Sequence, residues 1–191
     1  MAGPVLVGPL QDLCVRAVSG AFEAHPGVAR LPEELRRRVV EGLALDLPLE
    51  LVGTLIADED YWQRRASARW RNCDPAPHGR SWKQLYFERH LQEALETFEP
   101  VAAAGGASRE GTDGGGGGGG GELLALRRLM TFSRRFVRAV RAGQLPSRLD
   151  PQVVFDAMGT APASLSLRYG ARRLGMDYDR SLLGMQLADC R

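Results

Sequence analysis

Lysine is almost missing from this sequence: Lys83 stands alone, and the other 24 of its 25 basic residues are arginine. Arginine presents a planar fork that matches carboxylates and stacks on aromatic rings, which suits protein interfaces. A GC-rich coding sequence, which also favours Ala and Gly, gives the same bias and is the simpler reading. Cysteine is scarce too. Cys14, Cys73 and Cys190 lie far apart with no CxxC spacing, so neither a disulfide framework nor a zinc knuckle is indicated, and a reducing compartment fits best. No apolar run approaches the roughly 20 residues that a bilayer span needs. The opening MAGPVLVGPLQDLCVRAV has no charged segment ahead of a long apolar one, so no signal peptide is expected. A net charge of +2 argues against a general nucleic-acid binder. The expectation is an intracellular chain with neither membrane nor nucleic acid as partner.

Catalytic patterns are equally thin. His25, His78 and His90 form no HExxH or HxH motif, and Cys73 stands five residues from His78 across a proline loop, which reads as a loop histidine beside a half-buried cysteine. Asp58-Glu59-Asp60 lacks the spacing of a calcium loop and reads as an acidic helix start that complements the helix dipole. The eight glycines Gly114 to Gly121 are followed by Glu-Leu-Leu, where a phosphate-binding loop would need Lys-Ser or Lys-Thr. The sequence therefore predicts no catalytic residue, no cofactor, no metal and no enzyme.

What is present is helical periodicity, set in a chain that is 44% hydrophobic and 25% charged. Leu10, Leu13, Cys14, Ala17, Val18, Ala21 and Phe22 recur as one amphipathic stripe that His25-Pro26-Gly27 ends. Pro32 and two glutamates open a second helix with Leu35, Val39 and Leu43 inward. Asp46-Leu47-Pro48 opens a short third helix to about Ile56, and Asp58 caps a fourth that carries Tyr61, Trp62, Arg65, Arg69 and Trp70. After a loop from Asn72 to Arg80, Ser81 and Gln84 make a capping box for a helix from Trp82 to about Phe98, with Leu85, Leu91, Ala94, Leu95 and Phe98 buried.

Residues 102–121 hold too little apolar surface to offset the entropy of ordering and read as linker. Beyond them Leu126, Leu129, Met130, Ser133, Phe136, Val137 and Val140 predict a basic helix from Leu123 to Arg141, capped by Gly143. Arg127, Arg128, Arg134, Arg135, Arg138 and Arg141 cover the rest of its surface, and an acidic partner is the favoured occupant, ahead of a membrane surface or a calmodulin-like groove. Asp150-Pro151 starts a short helix to Met158, and Leu165 to Tyr169 alternates as a strand does. The fold class is mainly α. Residues 1–100 are expected to form a helical bundle that resembles a divergent F-box, 101–122 a glycine-rich flexible linker, and 123–191 a basic helix followed by a segment that resembles the start of a leucine-rich-repeat α/β cap.

The segments DLPLELVGTLI, DEDYWQRRASARW and NCDPAPHGRSWKQLYFERHLQEALETF, with LQDLCVRAV and LPEELRRRVV before them, resemble the N-terminal region of the dynein regulatory complex subunit 5 family of motile cilia and flagella. Arg134 to Arg138 and the stretch from Leu165 to Cys190 continue that resemblance more weakly, the latter as a lead-in to a first leucine-rich repeat. The resemblance implies a non-catalytic subunit of the nexin–dynein regulatory complex, in the cytoskeleton of the axoneme, which links outer doublets and regulates dynein-driven motility. It implies other subunits of that complex as partners, a leucine-rich-repeat subunit among the candidates, together with tubulin of the doublet microtubule. Partner contacts are expected at Arg127, Arg134, Arg135, Arg138, Arg141, Leu165, Leu167 and Tyr169, and core positions at Trp62, Trp70, Trp82, Leu91 and Leu95.

The family continues into a repeat array, whereas this sequence stops at Arg191, where about one and a half repeats of 20 to 29 residues fit. The strand at Leu165 to Tyr169 is therefore expected to dock an uncovered face on a neighbouring subunit. The same Leu-Pro-x-Glu-Leu opening and tryptophan-bearing return also resemble an F-box, and the alternative expectation is a ubiquitin-ligase substrate adaptor with a Skp-type partner.

Overall fold

The computed structural model of the chain describes residues 10–99, 118–146 and 149–169. These hold seven α-helices and a two-stranded parallel sheet. They divide into two compact units: residues 10–74 with 81–83, and residues 75–80 with the described residues from 84 onward. The division falls around the Pro75–Arg80 loop. The residues from Gln84 onward carry an apolar face that belongs with the elements after the tract, which periodicity alone does not reveal.

The first unit contains α1 (Leu10–Gly20), α2 (Glu33–Glu41), α3 (Leu49–Leu55) and α4 (Glu59–Arg69). Pro32 and Pro48 stand immediately before α2 and α3, where a proline's fixed φ starts a helix and its missing N–H is no loss. Asp58 caps α4 by accepting the Tyr61 N–H at 2.8 Å. The core is built from Phe22, Val39, Leu43, Val52, Ile56, Tyr61 and Trp62.

The α1 stripe is not buried: Leu10 is 77% exposed, and Leu13, Cys14, Ala17 and Val18 are exposed with it. Instead α1 meets α2 through Ser19, whose hydroxyl donates to the Val15 and Val39 carbonyls, and through the Asp12–Arg38 ion pair. Gly42, at the end of α2, faces Ser19 in this contact. A Cβ at Gly42 would come within 2.8 Å of Ser19 Oγ.

The α5 helix (Trp82–Glu96) groups with the first unit at Trp82 and Lys83 and with the second from Gln84. The second unit adds α6 (Gly118–Ser133), β1 (Ala139–Leu145), α7 (Pro151–Met158) and β2 (Ser164–Tyr169). Leu85, Phe87, Leu91, Leu95, Met130, Val140, Val154 and Met158 make its core. Phe87 stacks on Phe136 with 4.4 Å between ring centroids and meets Phe132 at 5.9 Å. α6 also packs on α7.

Two expectations change. The basic helix starts earlier and ends sooner than expected: its first turn is Gly118 to Gly121, inside the expected linker, and its last helical residue is Ser133. Residues 139–145 are a strand, because Val140, Ala142 and Leu145 turn inward while Arg141 and Gly143 turn outward, a period of two over most of the segment. β1 pairs in parallel with β2, Ala139 opposite Ser164 and Val140 opposite Leu165, with α7 crossing between them. The expected repeat lead-in beyond Tyr169 and the linker of residues 101–117 lie outside the described residues.

Candidate interaction surface

The aromatic and arginine motif of α4 turns out to be a set of donors aimed at main-chain carbonyls. Tyr61 Oη donates to Ala44 O at 3.1 Å and Trp62 Nε1 to Ile56 O at 3.0 Å. Arg64 donates to Val40 O and Glu41 O at 2.9 and 2.8 Å, where the last carbonyls of α2 have no partner within the helix. Arg65 is buried and donates to Leu47 O at 2.7 Å and to Tyr61 Oη at 3.0 Å. One helix therefore ties down the ends of α2 and α3. Composition gives no sign of this, because an arginine at a helix C-terminus is indistinguishable in sequence from one on a solvated face.

A comparable arrangement closes the start of α5. Glu59 of α4 accepts the Ser81 hydroxyl at 2.8 Å and the Trp82 N–H at 2.5 Å, which places a carboxylate at a helix N-terminus. Lys83 Nζ donates to Ile56 O at 2.9 Å and lies 5.5 Å from the Trp62 ring. Burial of its amine lowers its pKa below the ordinary 10.5, and the Glu59 carboxylate offsets part of that shift.

In the second unit α5 carries two carboxylates that hold β1. Glu88 is 5% exposed; its Oε1 accepts the N–H groups of Arg138 and Ala139 and the Gln84 amide, each at 2.8 Å, and its Oε2 meets His78 Nδ1 at 2.5 Å. Glu96 accepts the Gly143 N–H at 2.7 Å. The spacing fits: eight helical residues rise about 12 Å and the four strand steps from Ala139 to Gly143 rise about 13 Å. His78, expected as a loop histidine, lies in a loop, but with its ring on Glu88. Gly79 closes that loop at φ 63°, a left-handed conformation that glycine adopts without strain.

The expected core residues separate. Trp62, Leu91 and Leu95 are fully buried, whereas Trp70 and Trp82 are half-buried, with the Arg69 guanidinium 5.1 Å from the Trp70 ring. The expected contact residues separate as well. Arg127, Arg134, Arg135, Arg138 and Arg141 are all exposed. The first is on α6, Arg134 and Arg135 follow its last turn, Arg138 precedes β1 and Arg141 is within it. Leu165 and Leu167, expected on an uncovered face, are instead buried: their side chains lie on the inward side of β2 and fill the unit's own core. Tyr169 is placed by its backbone as the last residue of β2.

Besides the arginines, the first unit presents a groove of about 420 Å³ floored by Val28, Val40 and Ile56 and bordered by Glu33, Arg36 and the 41% exposed Leu55. Among the described residues no group of three or more His, Cys, Asp or Glu side chains is arranged to hold a metal ion. No helix among them is long and apolar enough to cross a membrane.

No protein-family model matches the chain. It is 50% identical over all 191 of its residues to dynein regulatory complex subunit 5 of Chlamydomonas reinhardtii, covering 44% of that protein. It is 28% identical over 97% of its length to the subunit of the same name from Homo sapiens, covering 39%, and 39% identical over half its length to that from Mus musculus, covering 19%. The chain spans less than half the length of these curated relatives. Along the whole of its 191 residues, the chain is similar to dynein regulatory complex subunit 5.

Proposed function

We propose that this chain serves as a non-catalytic, structural part of the dynein regulatory complex in the axoneme of motile cilia and flagella, where the complex links outer doublets as the nexin link and regulates dynein-driven bending. The observation that carries this is the unbroken similarity to the algal subunit over every residue of the chain. The chemistry agrees with it: the polar groups of the α4 motif, Glu59, Glu88 and Glu96 are spent on main-chain hydrogen bonds that fix helix ends and a strand, which is what a docking subunit requires.

The pairing of β1 with β2 supports a leucine-rich-repeat reading of the second unit. Ala139 and Ser164 are partners 25 residues apart, within the 20 to 29 residues of one such repeat. On this reading β1, α7 and β2 form one repeat and the start of the next, and the partners are other subunits of the complex, a leucine-rich-repeat subunit and doublet tubulin among the candidates.

Mass spectrometry of salt-extracted axonemes, prepared with and without the regulatory complex, tests the assignment. The chain is expected in the first preparation and depleted from the second. Its absence from axonemes, or equal abundance in both, overturns the reading, and co-purification with a Skp-type protein instead would favour the ubiquitin-ligase adaptor.

A further inference from the structure

We propose that the solvent face of α6 is a docking strip for an acidic helix of a partner protein, one that carries carboxylates seven residues apart. The proposal goes beyond the assembly role above and does not depend on it. Leu124, Arg127, Arg128, Thr131, Arg134 and Arg135 are all exposed, and they recur at the three- and four-residue steps that keep side chains on one side of a helix. Arg134 follows the last helical residue, Ser133, yet its N–H still reaches Met130 O at 3.0 Å, so the helical course extends to it.

Arg127 and Arg134 thus form one row along the helix, with Arg128 exposed beside them and Arg135 just past the helix end. The two members of the row are offset by about 10.5 Å along the axis and only about 20° around it. None of the four meets a carboxylate among the described residues. Arg135 is already oriented, its guanidinium 5.5 Å from the Phe132 ring and 5.8 Å from that of Phe136. Leu124, 50% exposed, adds an apolar contact at the N-terminal end of the strip.

The charge identifies a polyanion, and the geometry selects among polyanions. A helix that binds a lipid surface must insert an apolar face, but the apolar side of α6 is occupied: Leu126 and Met130 are buried, and Phe132 lies against Phe87. Nucleic acid would reward a broad field of positive charge, whereas the net charge of the whole chain is +2. A second helix laid along α6 with carboxylates at i and i+7 presents the same 10.5 Å period, and each carboxylate can accept both arms of a guanidinium fork.

The test uses the full chain, isotopically labelled, titrated at low salt with a synthetic helical peptide bearing glutamate pairs seven residues apart. Parallel titrations use a scrambled peptide of the same composition, a DNA duplex and phosphatidylserine vesicles. The expected result is a set of amide and guanidinium shifts confined to residues 124–135. The affinity should be at least fivefold weaker for the scrambled peptide and at least tenfold weaker in the chain carrying Arg127→Gln and Arg134→Gln. Arg36→Gln with Arg37→Gln, on the exposed face of α2, should leave the titration unchanged. Equal binding of the two peptides, shifts centred elsewhere, no effect of the α6 substitutions, or a preference for DNA or vesicles would overturn the proposal.

Discussion

Lys83 donates its ammonium to the carbonyl of Ile56 at 2.9 Å, the same oxygen that accepts the Trp62 indole N–H at 3.0 Å. The end of α3, the middle of α4 and the start of α5 therefore converge on one acceptor. Removing the ammonium while keeping most of the stem over Trp62, as in Lys83→Met, should lower unfolding stability by about 1 kcal/mol, the worth of one hydrogen bond. Trp62→Phe should lose about 2 kcal/mol, because a fully buried ring shrinks and the donor goes with it. Urea denaturation of the two variants checks the order, and equal stabilities would refute it.

The Lys83 amine should titrate below 10.5, since its partial burial disfavours the charged form more than Glu59 favours it. The sign for stability follows. Between the lowered native value and 10.5 the unfolded chain holds the extra proton, so the burial penalty is present in full below the lowered native value and is relieved as pH rises through that window. Because Lys83 is the only lysine, acylation followed over pH at the peptide that carries it, apart from the α-amino group, reports its titration. Half-modification at a pH at or above that of a free lysine side chain would contradict the geometry.

Glu88 is the most consequential carboxylate in the second unit. Glu88→Ala leaves the N–H groups of Arg138 and Ala139 without their acceptor and should cost about 3 kcal/mol, whereas Glu88→Gln keeps one acceptor oxygen and should cost about 1 kcal/mol. Hydrogen exchange at those two amides should accelerate in the alanine variant ahead of the core of α5. Unchanged protection there would show that Glu88 does not hold the start of β1.

The arginines of α4 should differ from those of α2. Arg65→Ala exposes or strands the Leu47 carbonyl and the Tyr61 hydroxyl and should cost about 3 kcal/mol. Arg36→Ala removes an exposed pair with Glu33 and should change stability by less than about 0.5 kcal/mol. Thermal melts of the two variants decide it. Comparable losses would mean that the carbonyl contacts of Arg65 carry little energy.

How far the sequence reached follows from these contacts. Local punctuation was legible: Pro32, Pro48, Asp58 and Asp150 begin helices where their chemistry says they should, because caps act on their immediate neighbours. The strand at Leu165 was legible from its alternation. β1 was not, since Phe136, Val137 and Val140 satisfy a helical spacing equally well. What decides for strand is distant, namely Ser164 to Tyr169 alongside and the Glu88 carboxylate at its start. The exposed α1 stripe marks a related limit: periodicity says that a face is apolar, not that it is covered. The exposed arginines were visible as charges, but the alignment of Arg134 with Arg127 depends on where the helix stops.

The assignment to the dynein regulatory complex is tested most directly by cryo-electron tomography of axonemes from cells in which this protein carries a compact density tag. The account predicts tag density within the link between adjacent outer doublets, lost when the regulatory complex is absent. Tag density elsewhere on the doublets, or none on the axoneme, would contradict it.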